Sequence, residues 1–252
     1  MPRALLFLVF ALCISIPSFA ATTNRVFDQI FPLHSGGNFI LDNVNGSVQV
    51  EGWNRDEVEV SAVKTASGDP EDVDRVKIEV DSQPGHIVVH TRYPKGAGAE
   101  VAVEYHVHVP YRVLLGSVGT VNGSVVVRGV EGFGDLRSVN GNVEVLDSSG
   151  RFNARTTNGD LRLELRRLVA GGPMDIETVN GSVMLGLPSD GRANLSVLSM
   201  NGDLNSDLPM KSTAGAPAKH TFHAKLGDGN GGDISVRTVN GGIRLVVQRP
   251  GV

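Results

Sequence analysis

The chain has 252 residues, of which 40% are hydrophobic, 20% charged and 5% aromatic, with a formal net charge of −4 and one cysteine. This composition argues against wholesale disorder, and its mildly acidic balance argues against a dedicated nucleic-acid binder, which needs clustered Lys and Arg. One cysteine excludes a disulfide framework and a multi-cysteine metal site, and the length allows one moderate domain or two small ones.

The first twenty residues have the pattern of a secretory signal peptide. An apolar run over residues 4–16 is broken by Pro17, and Ser18 and Ala20 place small side chains at a cleavage site after Ala20. The run is too short to span a bilayer, and no later segment is apolar enough to do so. We therefore expect an exported protein in the periplasm, on the cell surface or in the medium, with no transmembrane segment in the mature chain.

Residues 21–113 alternate between apolar and polar side chains, which is typical of strands. The alternation is clearest over residues 57–62 and 101–109, and Pro110 ends the second run. We expect this part to be a β-rich cap that covers the first unit of the region that follows it.

One short helix is predicted inside this cap. Asp69 is suited to the N-cap and Pro70 to the first helical position, and the helix should end near Val76, before a strand over residues 77–81.

The strongest feature of the sequence is the dipeptide Asn-Gly, which recurs with a period near 20 residues from Asn122 onward. Each unit reads apolar-x-Thr/Ser-x-Asn-Gly-x-apolar-x-apolar, except that Asn43 replaces Thr or Ser in the first unit and Ser206 replaces the last apolar residue in the sixth. Repeats of this length are typical of solenoids, propellers and arrays. The seven pairs are Asn45-Gly46, Asn122-Gly123, Asn140-Gly141, Asn158-Gly159, Asn180-Gly181, Asn201-Gly202 and Asn240-Gly241.

The spacing of the apolar residues requires a turn at each Asn-Gly pair. The apolar positions four before and three after the asparagine are an odd number of residues apart, so a straight strand would place them on opposite faces. Glycine accepts a positive φ, which suits a turn. Two folds fit this spacing. One is an all-β solenoid with stacked Asn-Gly corners, and the other is an antiparallel hairpin meander or sandwich. The regular period favours the solenoid, in which neighbouring asparagines could hydrogen-bond in a ladder.

We predict a signal peptide over residues 1–20, the capping part over 21–113 and the repeat solenoid over 114–252. The alternative is one continuous domain over residues 21–252. The insert over residues 209–233 interrupts the period and should be an excursion from the stack. The last unit ends with few residues beyond it, so we expect a poorly covered edge and weak association between copies.

Two short motifs do not indicate chemistry. The glycine-rich run 227–232 matches the spacing of a dinucleotide-binding loop and half-matches a calcium-binding repeat, but it precedes a strand and occurs once, so it predicts a turn. Ser61 and Lys64 have the spacing of a catalytic Ser-x-x-Lys pair, which needs a helix, whereas they lie in a predicted strand.

Histidines and carboxylates are the remaining candidates for a metal site or a catalytic site. His106 and His108 share one strand face and His86 and His90 another, so a metal site would require those strands to be neighbours. A polysaccharide-active enzyme would need two close carboxylates, which the sequence cannot place together. We therefore expect no catalytic, cofactor-binding or metal-binding residues and no cofactor. The acids available in the repeat are Glu144, Asp160, Asp175, Glu177 and Asp203.

The residues 36–54, the Val-His-Val-Pro run 107–110 and the serial Thr-Val-Asn-Gly units together resemble the bacterial DUF4097 family, which carries the label "putative adhesin". The resemblance implies an exported β-helical fold without established catalytic residues. We expect a non-enzymatic adhesin-like module of the bacterial envelope or surface, with an envelope, glycan or protein partner. The alternatives are a polysaccharide-active enzyme on a β-helix and a self-associating envelope scaffold or sensor component.

Overall fold

The computed structural model describes residues 23–94, 100–208, 210–212 and 221–248. The described part is all-β, as the sequence predicted, and its strands form one continuous hydrogen-bonded sheet with a single four-residue helix. Within it, no helix has the length and apolar character needed to cross a membrane. The predicted signal peptide lies outside the described residues.

The secondary structure divides into two sets in chain order. The first set is β1 (Thr23–Pro32), β2 (Asn38–Asp42), β3 (Val48–Trp53), β4 (Glu57–Ala66), α1 (Asp72–Arg75), β5 (Lys77–Gln83), β6 (His86–Arg92) and β7 (Val101–Pro110). The second set is β8 (Arg112–Asn122), β9 (Val125–Arg128), β10 (Glu131–Asn140), β11 (Val143–Asn158), β12 (Leu161–Leu168), β13 (Met174–Asn180), β14 (Val183–Pro188), β15 (Ala193–Asn201), β16 (Leu204–Ser206), β17 (Met210–Ser212), β18 (Thr221–Leu226), β19 (Asp233–Asn240) and β20 (Ile243–Gln248).

Two strands flank each Asn-Gly pair, and we call such a pair of strands a coil. Neighbouring coils pair in parallel at matched positions, as Asn140 with Asn158 and Val143 with Leu161 show. The long strand β11 serves two coils, since its first half pairs with β9 and β12 and its second half with β10 and β13. Along the stack, the coils follow the order β2/β3, β8/β9, β10/β11, β11/β12, β13/β14, β19/β20 and β15/β16.

The order of the coils in space differs from their order in the chain at the C-terminal end. Strand β20 pairs with β14 on one side and β16 on the other, so the last unit of the sequence lies inside the stack. The expectation that this unit forms the open edge of the stack is therefore wrong. The reason is the insert: β18 runs antiparallel along the outer side of β15, and the chain then returns to place β19 along the inner side.

The insert over residues 209–233 is thus partly built into the sheet. Strands β17 and β18 pair antiparallel, and β18 covers β15 at this end of the stack. Residues 209 and 213–220 of the insert lie outside the described part of the chain.

The other end of the stack is closed by the N-terminal strands. Beyond the coil of Asn45, β6 and β7 pair in parallel with β2 and β3. Antiparallel strands then cover them, with β5 on β6, β4 on β7 and β1 on β4. The change from parallel to antiparallel pairing ends the stack at this side.

The helix α1 is shorter than the sequence predicted. The Asp69 carboxylate accepts the Glu71 N–H at 2.9 Å, and the Asp69 carbonyl accepts the Asp72 N–H at 3.0 Å. Asp69 therefore closes a turn ahead of the helix rather than capping it. Val73 is buried, so the helix packs its apolar side onto the core.

The core consists of apolar columns that run along the stack. One column is formed by the residues four before each asparagine, all of them almost fully buried: Leu41, Val118, Leu136, Ala154, Ile176, Val236 and Val197. The positions three and five after the asparagine form two more buried columns, except in the coil of Asn201, where Leu204 is half-buried and Ser206 is exposed. That coil is therefore the least well packed of the seven.

Candidate functional site

The seven Asn-Gly pairs lie along one edge of the stack, where their side chains form a ladder. In each step, the side-chain Nδ2 of one asparagine donates to Oδ1 of the asparagine in the neighbouring coil, at 2.8 to 3.0 Å. The ladder begins at Asn45 and ends at Asn201. Its order is Asn45, Asn122, Asn140, Asn158, Asn180, Asn240 and Asn201.

The glycine of each pair is required by the closeness of neighbouring coils. A Cβ on Gly141 would collide with the carbonyl oxygen of Gly123, and the same contact recurs along the edge. A φ in the left-handed range, such as +113° at Gly46, is a feature of some of these glycines and not of Gly159, Gly181 or Gly202, so conformational freedom is not their shared requirement. This corrects the physical reason that the sequence suggested for the glycine.

The Thr or Ser two residues before the asparagine satisfies the carbonyl group of a neighbouring glycine. The Thr178 hydroxyl donates to the Gly159 carbonyl at 2.9 Å, and Thr156 makes the same bond to Gly141 at 2.8 Å. These hydroxyls are buried, where an unpaired polar group would be costly. The equivalent donors in the other coils are Thr120, Ser138, Thr238 and Ser199.

In the first coil, a side-chain amide replaces the hydroxyl as the donor to a carbonyl group of the neighbouring strand. Asn43 donates its side-chain amide to the Val103 carbonyl at 2.9 Å and accepts the Thr91 hydroxyl at 2.9 Å. Thr91 in turn lies 2.7 Å from the Tyr105 hydroxyl. Because the Thr91 hydroxyl proton goes to Asn43, the Tyr105 hydroxyl is the donor to Thr91. Burial raises the pKa of Tyr105 to about 12, so the phenol stays neutral.

A second ladder runs two residues after the asparagines, on the outward face. There a side-chain oxygen accepts the main-chain N–H of the next coil, as Asn142 does for Asp160 at 2.9 Å and Asp160 does for Ser182 at 2.7 Å. The Asp160 carboxylate therefore serves as the acceptor for a main-chain N–H of the neighbouring coil.

A line of mostly apolar and mostly exposed side chains accompanies the Asn ladder and was not predicted from the sequence. These side chains occupy the position immediately before each asparagine, which the Val of Thr-Val-Asn-Gly already indicates. We call this line the corner stripe. It consists of Val44, Val121, Val139, Thr157, Val179, Val239 and Met200. The four valines Val44, Val121, Val139 and Val179 are 36 to 41% exposed and Met200 is 56% exposed, whereas Val239 is half-buried and Thr157 is the one polar member.

Charges beside the corner stripe are paired with each other. Arg137 binds Asp135 with an Nη2–Oδ2 distance of 2.6 Å, and the hydrogen bond to this carboxylate raises the Arg137 pKa. Asp175 and Glu177 both lie beside Arg155, at 3.7 and 4.0 Å. These two acids share one guanidinium.

The other candidate acids are not brought together in the same way. Asp160 and Asp203 belong to coils that are separated by the coils of Asn180 and Asn240. Glu144 pairs in register with Arg162, which binds Glu164 at 2.6 Å.

The two histidine pairs lie on strands that are not hydrogen-bonded to each other. His86 and His90 are on β6, and His106 and His108 are on β7. His108 has Nδ1 2.9 Å from Glu59, and His90 has Nδ1 3.2 Å from Asp42. Across the described ranges, no group of three or more His, Cys, Asp or Glu side chains is placed to hold a metal ion.

The glycine-rich run 227–232 forms the turn between β18 and β19. The buried Arg151 guanidinium donates to the carbonyl groups of Gly231 and Asp233, each at 2.9 Å. Burial lowers the pKa of Arg151. These two carbonyl groups therefore have the Arg151 guanidinium as their hydrogen-bond donor.

The Ser-x-x-Lys spacing is also used structurally. The Ser61 hydroxyl donates to Asp28 at 2.9 Å, whereas Lys64 Nζ donates to the carbonyls of Val73 and Val76 at 2.7 and 3.0 Å. Burial lowers the Lys64 pKa, and the two side chains have separate partners.

A groove beside Trp53 is one of the concave surfaces of the described part that are lined by aromatic residues. Tyr111 and Arg112 line it. The Trp53 ring is stacked on His108 at a centroid distance of 4.9 Å, and the Arg55 guanidinium lies 4.6 Å from the ring centroid. His108 and Arg55 therefore cover much of the Trp53 ring surface on which a bound sugar would stack.

Comparison with solved structures finds a similar fold in a bacterial protein. The chain is similar to a "putative cell adhesion protein" from Clostridium sporogenes, with a TM-score of 0.50 and 10% identity over 88% of this chain and 99% of that one. It is also similar to a "putative adhesin" from Bacteroides fragilis, with a TM-score of 0.45 and 11% identity over 88% and 97% of the two chains. No curated protein matches this chain.

The family model described as Toastrack DUF4097 matches residues 34–245. The matched region begins just before β2 and ends within β20, so it includes all seven Asn-Gly corners. The chain belongs to the Toastrack DUF4097 family.

Proposed function

We propose that this protein is an exported, non-enzymatic, adhesin-like module of the bacterial envelope that binds a protein partner along the corner stripe. The observation that carries the proposal is the stripe itself, because regularly aligned exposed apolar side chains are typical of interaction surfaces.

The geometry of the edge favours a partner with an extended apolar surface. Neighbouring coils are about 4.8 Å apart, so seven coils give a stripe of about 29 Å. The stripe is flanked by the neutral amides of the Asn ladder, which can donate and accept hydrogen bonds. Apolar contacts flanked by neutral amides on one side and by paired charges on the other suit a protein surface better than a charged polymer.

The framework behind the stripe is, in this proposal, a β-solenoid whose Asn-Gly corners have a purely structural role. Parallel pairing of β2 with β8 and β3 with β9 joins the residues before and after position 113, which supports one continuous domain over residues 21–252. A rigid framework keeps the stripe straight and so reduces the entropy cost of binding.

Export and the absence of catalysis are supported by separate observations. The first twenty residues have the pattern of a signal peptide. Candidate acids Asp160, Asp175 and Glu177 are committed to a backbone N–H or to Arg155, which supports a binding role over carbohydrate cleavage.

Saturable binding to bacterial envelope fractions tests the proposal. The protein lacking residues 1–20 would be labelled and titrated against untreated, protease-treated and periodate-oxidised envelope. We expect binding that protease abolishes and periodate leaves intact, because the partner is a protein. Loss after periodate alone would indicate a glycan and contradict the proposal.

Charged substitutions locate the binding surface. The double variant Val139→Lys/Val179→Lys should weaken binding by at least about tenfold, because it places charge in the middle of the apolar line. Val63→Lys is the matched control, since Val63 is a valine of similar exposure, 36%, on β4 away from the corners. Equal binding by all variants, or equal loss in both, would rule out the stripe as the contact surface. Thermal unfolding would verify that each variant is folded.

A further inference from the structure

We propose that Asn201-Gly202 is a site of spontaneous deamidation, and that the fold protects the other six Asn-Gly pairs from the same reaction. The inference is independent of the proposed partner. It rests on the hydrogen bonds of the two groups that would react, the glycine N–H and the asparagine amide.

The reaction requires only the chain and water. The main-chain nitrogen of Gly202 loses its proton and attacks Cγ of Asn201. The new N–Cγ bond forms as the Cγ–Nδ2 bond breaks, and the amide nitrogen leaves as ammonia. Water then opens the cyclic imide at either carbonyl, which leaves aspartate or isoaspartate at position 201. Glycine favours this closure because it has no Cβ to hinder the ring.

In six of the pairs, both reacting groups are held by a neighbouring coil. Gly141 donates its N–H to the Asn158 carbonyl at 2.9 Å, and the Asn140 side chain donates to one neighbour and accepts from the other. The nitrogen cannot lose its proton until the coil opens, and the side chain cannot rotate toward it until the ladder breaks. The glycines with this N–H bond are Gly46, Gly123, Gly141, Gly159, Gly181 and Gly241.

At the Asn201 end of the ladder the first restraint is missing and the second is reduced to one hydrogen bond. Among the described residues, the Gly202 N–H has no hydrogen-bond acceptor and Oδ1 of Asn201 has no donor. The Asn201 side chain is exposed and held by one bond, from its Nδ2 to Asn240 at 3.0 Å. The coil is also the one with the weakest packing, since Ser206 is exposed where the other coils bury an apolar residue.

Deamidation would loosen this coil. An aspartate at position 201 places a carboxylate oxygen against Oδ1 of Asn240, which turns a hydrogen bond into a repulsion. In isoaspartate the backbone runs through Cβ and Cγ, so the Asn201 main-chain carbonyl that accepts the Gly241 N–H at 3.2 Å becomes a free carboxylate outside the backbone. Strand β16, only three residues long, would then lose its register with β20.

Peptide mapping by mass spectrometry after incubation in mildly alkaline buffer tests the proposal. In the folded protein we expect Asn201 to deamidate at least about tenfold faster than Asn140 or Asn158, because the inner pairs must first break a native hydrogen bond. In urea the Asn-Gly pairs should react at similar rates, since the unfolded chain protects none of them. The same order in urea as in buffer would show that local sequence sets the rate and would overturn the proposal.

Two further measurements keep the test independent of any folding defect. Hydrogen exchange at the Gly202 amide should be faster than at the Gly141 amide in the unmodified protein. The variant Asn201→Gln should remove the fast deamidation and leave the slow inner sites unchanged. An inner asparagine that reacts as fast as Asn201 in the folded protein would contradict the account.

Discussion

Thr178 and Gly159 are joined by a hydrogen bond that runs from one coil to the next, from the buried threonine hydroxyl to the glycine carbonyl at 2.9 Å. The same relationship recurs in most coils of the stack. It explains why Thr or Ser stands two residues before each later Asn-Gly pair: the hydroxyl is buried beside the corner carbonyl, and each supplies the other's hydrogen-bond partner.

Replacement of this hydroxyl tests its contribution to stability. Thr178→Val keeps the shape of the side chain but leaves the Gly159 carbonyl without its donor, so unfolding free energy should fall by about 1–2 kcal/mol. Thr157→Val is the control, because Thr157 is exposed in the corner stripe, and its effect should stay within about 0.5 kcal/mol. Denaturant unfolding of both variants gives the comparison. Equal losses in the two would contradict the assigned role.

The close approach of coils predicts a strong effect of a single methyl group. Gly141→Ala places a Cβ against the Gly123 carbonyl oxygen, and the backbones must separate to admit it. We expect a loss of about 2 kcal/mol or more in unfolding free energy. Gly172→Ala serves as control, since no atom lies within 4 Å of its Cβ position, and it should be nearly neutral. A neutral Gly141→Ala would mean that the corners are not packed this closely.

The buried Tyr105 predicts a loss of stability in alkali. Its pKa is about 12 in the folded protein against an ordinary 10.0, because burial disfavours the phenolate. The folded state therefore holds a proton that the unfolded chain loses near pH 10. The retained proton contributes about 2–3 kcal/mol to the free energy of unfolding. This contribution is complete below pH 10 and is lost as the pH rises toward 12.

Tyr105→Phe should remove most of that alkaline decline. At neutral pH it should cost about 1 kcal/mol, because Thr91 loses its partner at 2.7 Å. Unfolding curves across the alkaline range measure both effects. Tyr111→Phe, which changes an exposed phenol, should keep the decline. If Tyr105→Phe retains the full alkaline loss of stability, Tyr105 is not its source.

The sequence predicted much of this architecture because the information is local. The alternation around Val58 and Val107 and the regular spacing of Asn-Gly pairs were enough to predict an all-β chain. The apolar residues that recur four before and three after the asparagine are the ones that form the buried columns.

Other features depend on contacts between distant parts of the chain. The position of β20 between β14 and β16 follows from the path of β18, and no spacing within one unit encodes it. The need for glycine at position 159 likewise comes from a neighbouring coil and not from its own φ. The corner stripe was readable in the sequence, but its exposure required the fold.

Disulfide crosslinking tests most directly whether the corners stack in one column in the order found here. Val179 and Met200 each neighbour Val239 in the parallel ladders, at about the 4.8 Å between paired strands, whereas Val179 and Met200 are two coils apart. Cysteine pairs at 179/239 and at 239/200 should therefore form disulfides on mild oxidation, and a pair at 179/200 should not, because that distance exceeds what the bond can span. Efficient crosslinking of Val179→Cys with Met200→Cys, and none through position 239, would contradict the account.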